Sequence, residues 1–227
     1  MKTLEIACFN LESARRAARC GVGRIEFCAG YAAGGVTPDL ADFESLRAET
    51  SIPVVVMIRP RGGDFNYSRD EIGVMREQIG VFRAAGADGF VFGVLQGDRT
   101  VDQGVTRDLV GLANALPCTF HRAFDEAPEL VRALDAVIEC GCKRLLSSGG
   151  GGTAWENREV LRKLHVHAAD RITLLAGGGV RSDHASELMR LTGLSEIHSS
   201  ALPPGESNAS EEEIRALLAC AVASGRD

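Results

Sequence analysis

Two hydrophobic patterns alternate along this chain. Short apolar runs are followed by longer segments in which apolar residues return at helical spacing. The clearest run is Val54, Val55, Val56, Met57 and Ile58. It is apolar at consecutive positions, as a strand buried on both faces must be. It breaks abruptly into Arg59, Pro60, Arg61, Gly62, Gly63 and Asp64. Pro60 stops the strand, and the glycines allow a tight turn. Charges at such a strand end cost several kcal/mol each, on the order of 3–5, unless they meet water, a partner or a ligand.

Seven further strands are expected, at Thr3–Cys8, Arg24–Cys28, Phe90–Leu95, Cys118–Phe124, Arg144–Ser148, Ile172–Ala176 and Glu196–Ser200. Helices lie between them. Asn10 can cap a helix from Leu11 to Cys20 that Gly21 ends. Pro38 can open the next, running through Arg47. Ser68 and Glu71 form a capping box ahead of Ile72, Met75, Ile79 and Phe82. Asp102 opens a helix with Leu109, Leu112 and Leu116 on one stripe, and Leu130, Leu134, Val137 and Ile138 mark another. Helices are also expected over Asn157–His167 and from Ser182, as cap, to Leu191. Ser210 and Glu213 form a second capping box for the last helix, to Ala223.

These are eight strand-then-helix units with no linker between them. Such units give a parallel sheet, and right-handed crossovers place the helices outside it. Eight in one compact domain predict an α/β fold, a single closed (β/α)8 barrel of TIM type spanning residues 1–227. No G-x-G-x-x-G fingerprint follows the first strand, which argues against a dinucleotide fold.

Composition narrows the function classes. A net charge of −6 disfavours a nucleic-acid surface, which needs clustered Lys and Arg. No apolar run has the length of a membrane span. Glu5 interrupts any signal-like core at the N-terminus, so a cytoplasmic location is expected. The seven cysteines are odd in number and irregular in spacing, so reduced thiols are expected. Cys140 and Cys142 have the look of a metal pair, but they stand where a helix gives way to a strand, and they are read as small packing residues.

The informative positions are charged residues inside apolar strands: Glu5, Glu26, Arg59, His121, Arg122, Glu196 and His198. Alternation puts Glu5 on the face of Ala7, Glu26 on that of Cys28, and Glu196 on that of His198. Pointing inward, they form either a structural ion-pair network or a ligand site with a general acid or base. The deep pair Glu5 and Glu196 suits the network. Glu26, Arg59, His121 and Arg122, at strand ends, suit the ligand site and are the catalytic candidates. Barrels often bind phosphate through the loops after strands seven and eight. Here those loops hold Gly177, Gly178 and Gly179, then His198, Ser199 and Ser200. With Arg61 and Asp64 nearby, they are the candidate site for a small anion. His165, His167 and His184 fall on helices and receive no role.

Six segments carry a family resemblance: R-I-E-F-C-A-G (24–30), G-G-V-T-P (34–38), I-R-P-R-G-G-D-F (58–65), T-F-H-R-A-F-D (119–125), A-G-G-G-V (176–180) and E-I-H-S-S-A (196–201). Together they resemble the CutC family of copper homeostasis proteins. The resemblance implies a TIM-type barrel in the cytoplasm, a homo-oligomer of dimer type, and a role in copper handling. It also implies Cu(I) bound by two cysteines on the first two strands. Cys28 matches the second. The first falls on Ala7, with Cys8 as the nearest thiol, and a one-residue step along a strand changes face. The resemblance further implies a long basic and aromatic loop near the end, which this chain lacks after Ala201. Two functions are therefore expected: copper(I) handling, or catalysis on a small anionic or phosphorylated substrate at the barrel mouth.

Overall fold

The computed structural model describes residues 3–223, with side chains to residue 221. Met1 and Lys2 lie outside that range. Eight parallel strands close into a barrel in sequence order, β1 beside β2 and so round to β8 beside β1. They are β1 (Thr3–Cys8), β2 (Arg24–Phe27), β3 (Val54–Met57), β4 (Gly89–Phe92), β5 (Cys118–Phe120), β6 (Arg144–Ser147), β7 (Thr173–Ala176) and β8 (Glu196–Ser199). The helices that follow them are α1 (Leu11–Cys20), α2 (Leu40–Glu49), α3 (Arg69–Ala84), α4 (Gln103–Leu112), α5 (Leu130–Glu139), α6 (Arg158–Ala168), α7 (Ser182–Thr192) and α8 (Glu211–Ala223). The predicted barrel is the observed one.

The register sorts every strand into two faces. Leu4, Ile6 and Cys8 of β1, Ile25 and Phe27 of β2, Val54 and Val56 of β3, and Phe90 and Phe92 of β4 join the main apolar core between sheet and helices. Glu5, paired with Arg24, and Ala7, paired with Glu26, take the other face, inside the barrel. Among the described residues the apolar cluster there is small: Cys28, Val55, Met57 and Val91, with Phe9 against it. The molecule is therefore apolar between its layers and polar down its axis.

Several expected boundaries move, each for a local reason. The strand expected to run to Phe124 ends at Phe120. There the His121 side chain accepts from Ala123 N–H and opens a 3-10 turn over Arg122–Glu126. The strand expected to Leu95 ends at Phe92, and Leu95 instead bridges to Val101. Pro38 does not open α2; Asp39 caps it one residue later. Ser182 is the first residue of α7 rather than its cap. Its N–H and hydroxyl donate to the Glu213 carboxylate at 2.8 and 2.7 Å. That use of Glu213 takes it away from Ser210, so the second capping box is only half formed. The Ser68–Glu71 box is complete.

Candidate functional site

A cavity of about 280 Å³ opens where the strands end. Ala7, Glu26, Met57, Arg59, His121, Arg122, Gly178, His198 and Ser200 line it, with Phe9, Tyr31 and Phe65 as aromatic walls. The strand-end residues singled out from the sequence thus share one hollow. Ala7 is the smallest inward side chain of β1, and it lies in register with Glu26. His198, on the other side of β1, is in register with Glu5.

Below the mouth runs a chain of charges. His198 Nδ1 bonds Glu5 Oε1 at 2.7 Å, and Arg24 Nε donates to the other Glu5 oxygen. Arg24 Nη2 donates to Glu196 at 2.6 Å, and Arg144 stands 3.7 Å from the same carboxylate. Burial alone would raise the Glu5 pKa, but Arg24 and His198 overcome it and hold the carboxyl at about 2. Glu5 and Glu196 therefore belong to a structural network, as their depth implied.

Glu26 is different. It is buried, and its Oε2 finds no hydrogen-bond partner among the described residues. Desolvation pushes its pKa up to about 7, with the nearby His198 pulling the other way. Burial would lower His198, but the Glu26 charge and the Glu5 hydrogen bond outweigh it and raise its pKa. A carboxyl and an imidazole, both with raised pKa, thus face one cavity.

The other catalytic candidates prove less free. Arg59 is buried, and its two terminal nitrogens already donate to backbone carbonyls of Ala33, Gly35 and Gly63 at 2.7–3.0 Å. Its guanidinium also lies 4.6 Å from the Phe65 ring centroid. Two of its nitrogens thus pin the loops after β2 and β3, while its buried Nε has no hydrogen-bond partner among the described residues. His121 lines the cavity, but burial, with Arg59 adding to it, pushes its pKa down to about 3. It is a neutral ring whose Nε2 is unpartnered. A side chain at Gly93 would come within 2.5 Å of the imidazole, so Gly93 makes room for it. Arg122 has one nitrogen without a partner among the described residues. Its Nε donates to Asp125 at 2.8 Å and its Nη2 to Ser148 at 2.9 Å, which leaves Nη1 at the cavity. A Cβ on Gly178 would stand 3.1 Å from the Arg122 carbon and 2.9 Å from Ser148, so only glycine lets this turn approach. Among the described residues no partner is found for the N–H of Gly178 or Gly179.

Several expected site residues lie elsewhere. Arg61 and Asp64 are absent from the cavity wall; they pair with each other at 2.9 Å, and Arg61 also binds Glu71 at the start of α3. Gly177 sits beneath the wall, against Leu146 and His198. Ser199 does line the cavity, but its hydroxyl is committed to the Val180 carbonyl at 2.7 Å. Two residues escaped the sequence reading. Arg181 lines the cavity beside Gly179. Asp125 orders the Arg122 turn by accepting from Ser147, Ser148 and Gly150. The A-G-G-G-V segment pointed to Arg181, one residue beyond its end; Asp125 closes the T-F-H-R-A-F-D segment, but nothing in sequence gave it a role.

The CutC family model matches residues 2–202. The chain belongs to the CutC family. The copper homeostasis protein cutC homolog of Mus musculus is 40% identical over 198 residues, covering 87% of this chain and 73% of its own. A family protein CutC of Vibrio vulnificus is 42% identical, covering 86% and 79%. A CutC structure from Streptococcus agalactiae superposes with a TM-score of 0.84 at 30% identity, over 88% of this chain and 99% of that one. A phosphoribosylanthranilate isomerase from Thermotoga maritima, at 12% identity and a TM-score of 0.62 over 98% of this chain and all of its own, shares the barrel alone.

The two thiols expected to hold copper in this CutC-family chain do not meet. Cys8 packs in the outer core, whereas Cys28 belongs to the inner cluster. Burial raises both thiols well above their usual range, with Glu26 adding to the effect. A two-thiolate site for Cu(I) does not fit this geometry. Atoms of Glu5, Glu26 and His198 do lie within 4.8 Å of one another, close enough to grip a cation. Both Glu5 oxygens, however, are taken by Arg24 and His198, and the guanidinium charge opposes a metal there.

Proposed function

We propose that the barrel mouth of this CutC-family protein binds a small anionic, phosphorylated molecule and transfers a proton on it through Glu26. One observation carries the reading: a buried carboxylate with an unpartnered oxygen opens onto the same cavity as the free nitrogen of Arg122. An oxygen left bare in a buried site costs about 1–3 kcal/mol, a cost that a ligand donor offsets. The free N–H groups of Gly178 and Gly179, with Arg122 and Arg181 beside them, form an anion cradle, and Glu26 supplies the base. A thermal-shift panel of phosphorylated sugars and carboxylates tests this. The expected result is a shift with phosphorylated compounds that Arg122→Ala removes. Shifts that survive in both Arg122→Ala and Arg181→Ala would refute it.

Copper(I) handling is the second reading. Relatives carry that name, and one observation favours it. Cys28 and Met57, both soft sulfur donors, share the inner cluster beneath the mouth. Competition against a strong Cu(I) chelator decides it. Binding that Cys28→Ser weakens about tenfold or more supports copper as cargo; no binding removes it. The same reading takes the protein as cytoplasmic and as a homodimer. Support for a dimer comes from Val74 and Val81, one heptad apart and exposed on α3.

A further inference from the structure

We infer that His198 is a second proton-transfer group of the mouth, acting with Glu26 on one small phosphorylated hydroxy-aldehyde or hydroxy-ketone, and that Glu5 is its positioning residue. The inference rests on the anion-site reading above and goes beyond it in naming a reaction class. Glu26 and His198 stand on the strands either side of β1, in register with Ala7 and Glu5, and all of Ala7, Glu26 and His198 line the cavity. Ligating atoms of the two come within 4.8 Å of each other. That distance is about the reach needed to touch neighbouring atoms of one small ligand.

Orientation separates the two roles. The Glu5 carboxylate holds His198 Nδ1 at 2.7 Å, which fixes the ring and fixes which nitrogen faces inward. The ring lines the cavity with Nδ1 tied to Glu5, so Nε2 is the nitrogen left for a ligand, and no hydrogen bond to it is found among the described residues. Glu5 cannot take the proton itself, because Arg24 holds its other oxygen in a buried ion pair. A carboxylate that orients an imidazole, whose far nitrogen does the chemistry, is a recurrent arrangement for proton transfer. His121 has no such orienting carboxylate: its Nδ1 accepts from the backbone of Ala123.

The step balances without a co-reactant. The Glu26 carboxylate takes the proton from the carbon beside the carbonyl. The C–H electron pair becomes the carbon–carbon double bond, and the carbonyl π pair takes the Nε2 proton of the imidazolium form of His198, leaving a neutral ring with Nδ1–H on Glu5 and giving an enediol. Return of a proton to the former carbonyl carbon, with loss of the hydroxyl proton from its neighbour, completes an aldose–ketose isomerisation. Nothing is oxidised or reduced overall. The phosphate end of such a molecule suits the Gly178–Gly179 turn and Arg122, and a cavity of about 280 Å³ suits a compound of a few carbons.

The test is deuterium incorporation from D₂O beside the carbonyl of two probes, dihydroxyacetone phosphate and D-ribose 5-phosphate, with binding followed by thermal shift. The wild-type protein is expected to exchange at least one of them. Glu26→Gln and His198→Asn should each slow exchange about 100-fold or more with binding kept. Glu5→Gln should lower the exchange rate at saturation and not the binding, and should move the ¹⁵N signals of the His198 ring towards the other tautomer. Exchange that survives His198→Asn would overturn the inference. So would probes that bind at Arg122 yet never exchange, which leaves the anion site standing. Absence of any binding would overturn both. Wild-type ring signals showing Nδ1 free of Glu5, or shifting stoichiometrically with Zn²⁺ alone, would overturn it even if a variant failed to fold.

Discussion

Glu26 is the residue on which the chemistry turns, and its titration has a definite sign. Its folded pKa of about 7 lies above the ordinary 4.5, so between those values the folded protein holds a proton that the unfolded chain has lost. The stabilisation is complete below about pH 4.5 and is lost as pH rises through about 7. Relative to wild type, Glu26→Gln should therefore gain on the order of 1–3 kcal/mol in urea unfolding between pH 4.5 and 7. A constant difference across that window would show Glu26 to be an ordinary carboxylate. His121 contributes with the opposite sign: its pKa falls to about 3, so its share is present above 6.5 and lost on acidification. The variant comparison cancels that term.

At this scale the sequence was partly legible. Charged residues inside apolar strands marked Glu26, His121 and His198 correctly as inward and near the mouth. What alternation does not reveal is how much of each side chain is already used. Arg59 and Arg122 look alike in sequence, yet Arg59 spends both terminal nitrogens on carbonyls and is left with a buried Nε, whereas among the described residues Arg122 has a terminal nitrogen, Nη1, without a partner. Arg61 and Asp64 lie off the cavity wall, where a turn at Gly63, with φ +82°, brings them onto each other and Arg61 onto Glu71. Cys8 followed the one-residue rule: it faces away from Cys28.

Among the elements, caps fixed most boundaries. Asn10, Ser68 and Asp102 each accept from the backbone three residues on, at 2.8–3.3 Å, and their helices start where the sequence placed them. Ser68→Ala should cost about 1 kcal/mol, read as a lower urea midpoint with an unchanged slope. A larger loss would mean that the cap also holds the Arg61 turn, since Glu71 bonds both. The misread boundaries share a cause. Past Phe92 the chain stays apolar at Val94 and Leu95, and past Phe120 apolar residues return at Ala123 and Phe124, but a loop bridge or a side-chain cap replaces the ladder. Hydrophobicity reports burial, and burial continues into these loops.

Across the whole molecule, the barrel is held by its outer apolar layer and tuned by its charged axis. Phe27, Phe90, Phe92 and Phe120 are fully buried between sheet and helices, and this layer was readable as the apolar half of each strand. The axis is costly to break. Glu5 is fully buried and Arg24 nearly so. Arg24→Met should destabilise the fold by roughly 3–5 kcal/mol in chemical unfolding, because it strands the Glu5 charge. Stability within about 1 kcal/mol of wild type would mean that the ion pair holds little.

The account's central claim is that the strand ends form one anion-binding mouth with Glu26 at its floor. Crystals soaked in dihydroxyacetone phosphate test it most directly. The phosphate is predicted against the Gly178 and Gly179 N–H groups and Arg122, with the carbonyl carbon beside Glu26; an empty mouth, or phosphate bound only on the outer helices, would contradict it.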